Sequence, residues 1–235
     1  MIVEGAISTK AVIQNNKRTV EKVYINKDKK TKDFNYIRKL CRLSGIEILE
    51  LQSEELSQYL SGKSHGGVGA LVGSRKEDEF TEGDIFYLDG IEDPFNLGYS
   101  LRTLYAFGIK NVLLSKRDYS MMEAQLLKSS AGAYDMLKVR ISEDPIKEVK
   151  GFKDKGYYLY GLYRGEGSRD IFDSEFKDKA LFMLGGEKRG ISSELLGMCD
   201  EHLYISYGSD FRNSLNACGA LDVVATLLYR QRKNR

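Results

Sequence analysis

The 235-residue chain has no tryptophan, only two histidines and only three cysteines. Cys41, Cys199 and Cys218 form no CxxC pair, which excludes a disulfide framework and a zinc knuckle, and the three are expected to be reduced, partly buried thiols. His65 and His202 belong to different elements, so no metal site is expected, and His65 reads as a structural or RNA-contacting residue. No apolar run approaches the roughly 20 residues that span a bilayer. The opening MIVEGAISTK lacks the basic and apolar regions of a secretory signal. A cytoplasmic protein without membrane partners is the expectation. Excess charge is also missing, since 36 Lys and Arg face 34 Asp and Glu.

That near-neutrality is an average of two unlike halves. Residues 1 to 76 hold 14 basic and 8 acidic side chains, and the remainder holds 22 basic and 26 acidic. The basic excess is sharpest between Lys10 and Arg42, where Lys10, Lys17, Arg18, Lys22, Arg38 and six others face only Glu21, Asp28 and Asp33. Such a segment is either a phosphate-binding surface or a solvated lysine-rich face.

Periodicity and turn residues divide the chain into short alternating elements. In the first part, Ser8 is expected to cap a helix, Val20 to Ile25 reads as a strand, and Asp33 is expected to cap a helix that Gly45 stops. Strands follow at Ile46 to Leu49 and Gly67 to Val72, with a short helix at Ser53. GSRKEDEFTEG, Gly73 to Gly83, is almost devoid of apolar residues and reads as a linker. The expected organisation is a small α/β domain at 1–76, a linker at 77–83 and a larger domain at 84–235. In the latter, strands at Ile85, Asn111, Met136, Tyr157, Ala180 and Leu203 alternate with helices, the last from Asn213 to Gln231. Strict alternation argues for a parallel sheet, with the site beyond the carboxyl ends of its strands.

Three segments carry chemistry. In LDGIEDPFNLGYSLRTLYAFG, Leu88 to Gly108, a strand ends at an Asp93-Pro94 turn, Asn96 is a candidate cap, and a helix begins that carries Arg102. In LFMLGGEKRG, an apolar strand runs into Gly185-Gly186 and then Glu187; the glycines permit a tight turn or a ligand against bare backbone. Neither GxxxxGK[ST] nor GxGxxG is present, so the usual nucleotide loops are not supported. In ISYGSDFRNSLNACGALDVV, a polar loop from Tyr207 delivers Ser214, Leu215 and Asn216 to the first turn of a helix rich in small residues. Each segment alone also fits an ordinary turn or helix start.

In this order the three segments resemble the three motifs of the SpoU (TrmH-like) family of RNA ribose 2′-O-methyltransferases, in the SPOUT superfamily. Residues 1 to 76, with Gly5, Ala11-Val12 and SGKSHGGVGALV, resemble the family's small substrate-binding domain. The resemblance implies an α/β fold: a C-terminal SPOUT domain with a parallel sheet and a deep trefoil knot, plus the N-terminal α/β domain. It implies S-adenosyl-L-methionine as cofactor, held by Leu184, Gly185, Gly186, Ile205, Leu215 and Asn216. Arg102, Asn96, Glu187, Ser214 and Asn216 match the catalytic positions, with no metal. RNA contacts are expected from Lys10, Lys17, Arg18, Arg38, His65 and Arg102. A homodimer and an RNA substrate follow, ribosomal RNA favoured over transfer RNA. A transfer-RNA enzyme, a base-methylating SPOUT enzyme and a SPOUT-fold RNA-binding protein without catalysis are the alternatives.

The sequence departs from the family at two motif positions and in the N-terminal domain. Gly186 stands where Ser or Ala is frequent, and the loop before Ser214 is one residue longer than in some relatives. His65-Gly66-Gly67 replaces the frequent His-Gln-Gly. The resemblance gives Arg102 the role of base, but a guanidinium with a pKa above about 12 stays protonated. Binding phosphate and ribose is the role expected of Arg102, with Glu187 orienting it or Asn96.

Overall fold

The computed structural model describes residues 1–62, 65–186 and 189–234. Glu187, expected to be catalytic, lies outside the described residues. In chain order the elements are β1 (Ile2–Glu4), α1 (Ala6–Asn15), β2 (Val20–Asn26), α2 (Lys32–Ser44), β3 (Glu47–Leu51), α3 (Ser53–Leu56), β4 (Val68–Val72), β5 (Ile85–Asp89), α4 (Pro94–Ala106) and β6 (Asn111–Ser115). There follow α5 (Glu123–Ser129), β7 (Lys138–Ser142), α6 (Pro145–Asp154), β8 (Tyr158–Leu162), β9 (Arg169–Asp170), β10 (Ala180–Gly185), α7 (Ser193–Met198), β11 (Glu201–Tyr204) and α8 (Ala217–Lys233).

Two compact units emerge. The first comprises Met1–Glu77 together with Tyr119–Met136, and the second Asp78–Asp118 with Leu137–Arg235. The stretch around α5, expected from sequence within 84–235, therefore groups with the N-terminal residues.

The first unit is built on a four-stranded sheet in the order β1-β4-β2-β3, antiparallel except for the parallel β2–β3 pair. β1 was not anticipated, because three residues give no period to read. Gly5, not Ser8, is the N-cap of α1: its φ of 92° turns the chain out of β1, and Ser8 is buried one turn later. Thr31, not Asp33, caps α2, accepting the Phe34 N–H at 3.4 Å, and Gly45 ends that helix at φ 66° as expected.

Arg18 is the centre of a buried polar cluster in this unit. Its guanidinium makes a two-pronged contact with Asp135 at 2.9 Å and a third bond with Glu123 at 2.8 Å, and only 1% of the residue is exposed. Arg18 was expected on an RNA surface, and the structure overturns that. A guanidinium enclosed by two carboxylates has neither the solvent access nor the free charge to meet a phosphate. The acidic partners lie more than 100 residues away in sequence, so local charge counting could not reveal them.

In the second unit seven strands run parallel in the order β7-β6-β5-β10-β8-β11-β9. Ile85, Phe86, Tyr87 and Leu88 of the central β5 are all buried, the continuous apolar run expected of a strand covered on both faces. On one face Tyr87, Leu181 and Met183 pack with Val149 and Phe152 of α6 and Leu195 of α7. On the other, Phe182 stacks between Phe86 and Tyr160, at ring separations of 5.1 and 5.0 Å. β5 and β10 are neighbours whose onward connections diverge, β5 toward β6 and β10 toward β11. Such a switch point opens a crevice at the carboxyl ends of the two strands.

Candidate active site

At that crevice three stretches of backbone converge. β5 leads into Gly90-Ile91-Glu92-Asp93 and then α4. The Asp93 carboxylate caps α4 by accepting the Asn96 N–H at 2.8 Å, and Pro94 occupies the first turn, where its missing N–H costs nothing. Asn96 was expected to be the cap, and it sits instead three residues into the motif Asp93 begins. Its carboxamide makes no hydrogen bond among the described residues, and it lines a cavity of about 160 Å³ with Gly90, Ile91, Glu92, Asp93, Gly186 and Ala217.

Gly185 and Gly186 are required by the closeness of their neighbours. The Gly186 N–H donates to the Asp89 carbonyl at 2.6 Å, and a Cβ on Gly186 would stand 2.2 Å from the Gly90 oxygen. A Cβ on Gly185 would meet the Gly190 carbonyl carbon at 2.1 Å. Glycine at 186, where Ser or Ala is frequent in the family the sequence resembles, is thus required by the closeness of the Gly90 backbone here. Partial burial holds the Asp89 carboxyl above its ordinary value, opposed by hydrogen bonds from Tyr87 and Ser115.

The third stretch is the loop from Ile205 to Asn216. Asn216 is the N-cap of α8, accepting the Gly219 N–H at 2.8 Å, so α8 starts four residues later than expected. Leu215 is 38% exposed and Ser214 is exposed, while Ala217 in the next position reaches the cavity. Cys218 ties this helix start to the first: its Sγ donates to the Asn96 carbonyl at 3.0 Å, and Ser100 Oγ lies 3.5 Å from the same sulfur. The sequence suggested only that Cys218 is a reduced, partly buried thiol; its place inside the third segment, two residues after Asn216, was the available signal.

The expected site residues do not all gather at the cavity. Asn96 and Gly186 line it and Asn216 caps the helix beside it. Leu184 is buried within β10, so only its backbone can face a ligand. Arg102 is two turns along α4, exposed, and pairs with nothing among the described residues. It lies in a stripe of exposed aromatics, Phe95 at 49%, Tyr99 at 51% and Tyr105 at 45%. The spacing of 95, 99 and 102 puts these residues on one helix face.

The remaining basic candidates belong to the first unit, and several are already paired. Lys10 contacts Asp33 at 2.8 Å, and Arg38 contacts Glu50 at 2.6 Å while donating to the Lys29 carbonyl. Lys17 is partly buried, its carbonyl accepting the Lys76 N–H at 2.8 Å. His65 Nδ1 accepts the Gly67 N–H at 2.9 Å, which ties the ring to its own turn.

Comparison with known proteins matches these parts in order. Residues 84–226 fit the model of the SpoU rRNA Methylase family, and residues 2–77 fit the model described as RNA 2'-O ribose methyltransferase substrate binding. A Xanthomonas campestris protein named 23S rRNA (guanosine-2'-O-)-methyltransferase RlmB is 27% identical over 97% of this chain and 95% of its own. Among solved structures, the SpoU methyltransferase AviRb of Streptomyces viridochromogenes in complex with AdoMet superposes with a TM-score of 0.81 at 20% identity, over 99% of this chain and 90% of that one. The A. aeolicus TrmH/SpoU tRNA modifying enzyme superposes with a TM-score of 0.60 at 18% identity, over 67% of this chain and 79% of its own. A parallel sheet with paired glycines at its switch point, preceded by a small basic unit, and both family matches in register place the chain in the SpoU family of RNA 2′-O-ribose methyltransferases.

Proposed function

We propose that the protein transfers a methyl group from S-adenosylmethionine to a ribose 2′-hydroxyl of RNA in the cytoplasm, with ribosomal RNA favoured over transfer RNA. The observation that carries this reading is the convergence of Asn96, Gly186 and Ala217 on one cavity at the carboxyl ends of β5 and β10. The residues present suit the cofactor. Gly90 and Gly186 present backbone without side chains to the cavity, and Leu215 presents an exposed apolar side chain in the loop that enters α8. When bound, S-adenosylmethionine supplies an electrophilic methyl carbon on its sulfonium.

The chain's own contribution is positioning, which can lower such a barrier by several kcal/mol. The free carboxamide of Asn96 orients ribose or backbone within the cavity. Arg102 binds the target phosphate through its planar fork and stabilises negative charge growing on the 2′-oxygen, while a phosphate oxygen or water takes the proton. Ser214 and Asn216 complete the site at the entry to α8, where Asn216 caps the helix; the role proposed for Glu187, which lies outside the described residues, is to orient Arg102 or Asn96. The trefoil knot of the family is part of this reading, with the cofactor loops folded around it.

The aromatic stripe around Arg102 supports a homodimer. Three large aromatics on an exposed helix face suit burial against a second copy, which would bring Arg102 to a composite RNA site. The net basic character of residues 1–76 supports phosphate contacts there, with specificity coming from RNA shape and exposed loops. Incubation with labelled S-adenosylmethionine and purified ribosomal or transfer RNA, followed by digestion to nucleosides, tests the reaction. Label on a 2′-O-methyl nucleoside from ribosomal RNA is expected; label on a base, or none in either pool, would overturn it.

A further inference from the structure

We propose that Tyr207 is a positioning residue for methyl-donor binding, its hydroxyl fixing the Leu215 end of the loop that enters α8 while Arg164 holds its ring. The inference rests on the reading of Ile205, Leu215 and Asn216 as cofactor contacts. The Leu215 N–H donates to the Tyr207 hydroxyl oxygen at 3.0 Å, closing a loop between residues eight positions apart. Leu215 immediately precedes the cap of α8, so no helical carbonyl is available to that N–H. The tyrosine oxygen is its partner, and without it the N–H would turn to water.

The ring itself is held from two sides. The Arg164 guanidinium carbon lies 5.3 Å from the Tyr207 ring centroid, and Phe211 packs at 5.9 Å, tilted by 46°. Arg164 belongs to the connection between β8 and β9, so a second loop buttresses the first. The intervening residues 208 to 214 are all exposed and have little else to restrain them. With Asn216 already held as the cap of α8, the well-held tyrosine oxygen sets where Leu215 stands before a ligand arrives. Restraint present in advance removes an ordering cost that binding would otherwise bear.

Tyr207→Phe deletes only the acceptor and leaves the ring and its two neighbours in place. In calorimetry on the full chain, S-adenosylmethionine should bind about three- to tenfold more weakly to this variant, the range expected for one lost hydrogen bond. Exchange of the Leu215 amide should quicken, and filter binding of total ribosomal RNA should stay unchanged. Arg164→Ala should weaken cofactor binding in the same direction, and Arg164→Lys, which keeps the cation over the ring, should recover part of it. Unchanged cofactor affinity in Tyr207→Phe, beside measurable binding by the parent protein, would overturn the positioning role alone. Loss of RNA binding with cofactor affinity intact would overturn it too, since the tyrosine would then serve the RNA. A parent protein that binds no S-adenosylmethionine would overturn the reading beneath it as well.

Discussion

The thiol of Cys218 donates to the backbone carbonyl of Asn96 across 122 residues of sequence, at 3.0 Å. One contact thereby joins the helix that carries Asn96 to the helix that Asn216 caps. Cys218→Ala should reduce methyl transfer several-fold, in keeping with about 1 kcal/mol for one modest hydrogen bond. Cys218→Ser restores a donor and should recover most of the rate. Steady-state turnover of the three proteins decides the matter: equal rates would show that the two helix starts hold their places without the thiol.

Gly186→Ala is the sharpest test of the backbone approach at the switch point. The added carbon would stand 2.2 Å from the Gly90 oxygen, which must retreat. Overpacking of this kind costs about 1–3 kcal/mol, a fall in melting temperature of roughly 2–10 °C for a chain of this size. Thermal unfolding followed by circular dichroism reads this directly. An unchanged midpoint would mean that the Gly90 turn can shift freely.

Much of the second unit was legible in the sequence, because its central strands β5, β6 and β10 are largely apolar and lead into turns, whereas the two-residue β9, Arg169–Asp170, has no pattern to read. Gly185-Gly186, Asp93-Pro94 and the polar run before α8 all mark real turns. The caps were read less well: Ser8, Asp33 and Asn96 each lost that role to a neighbour, since several residues within three positions can cap and geometry selects one. Least legible was Arg18, whose partners Glu123 and Asp135 are distant in sequence. Charge in a basic segment reports where cations are, and burial decides which of them remain available. Asp135→Asn should therefore destabilise the protein by about 3–5 kcal/mol, because it leaves Arg18 buried with half its compensation. Urea unfolding is the measurement. Arg18→Met should lower stability while leaving the salt dependence of RNA binding unaltered, the opposite of what a phosphate contact would give.

Stability should also fall on the alkaline side. Burial pushes the Cys41 thiol from its ordinary 9.0 up to about 11. The unfolded chain loses this proton first, so the contribution is complete below pH 9 and disappears as pH rises toward 11. Two units correspond to about 2–3 kcal/mol at most. Denaturant unfolding at pH 8 and pH 11 should show Cys41→Ala losing less stability across that interval than the parent. Parallel curves would mean that the thiol is solvated in the native state.

Arg102→Lys separates charge from shape at the proposed phosphate contact. Lysine keeps the positive charge but offers a point donor in place of a planar fork, so it holds one phosphate oxygen where arginine spans two. Overall RNA affinity should change little, because one charge among many is preserved. Turnover should drop by roughly a hundredfold, the scale on which misplacing a reacting group by about an ångström acts. Single-turnover methyl transfer with saturating RNA isolates the step from binding. A near-normal rate would remove the guanidinium from the positioning of the ribose and leave Arg102 as a general cation beside the exposed aromatics of α4.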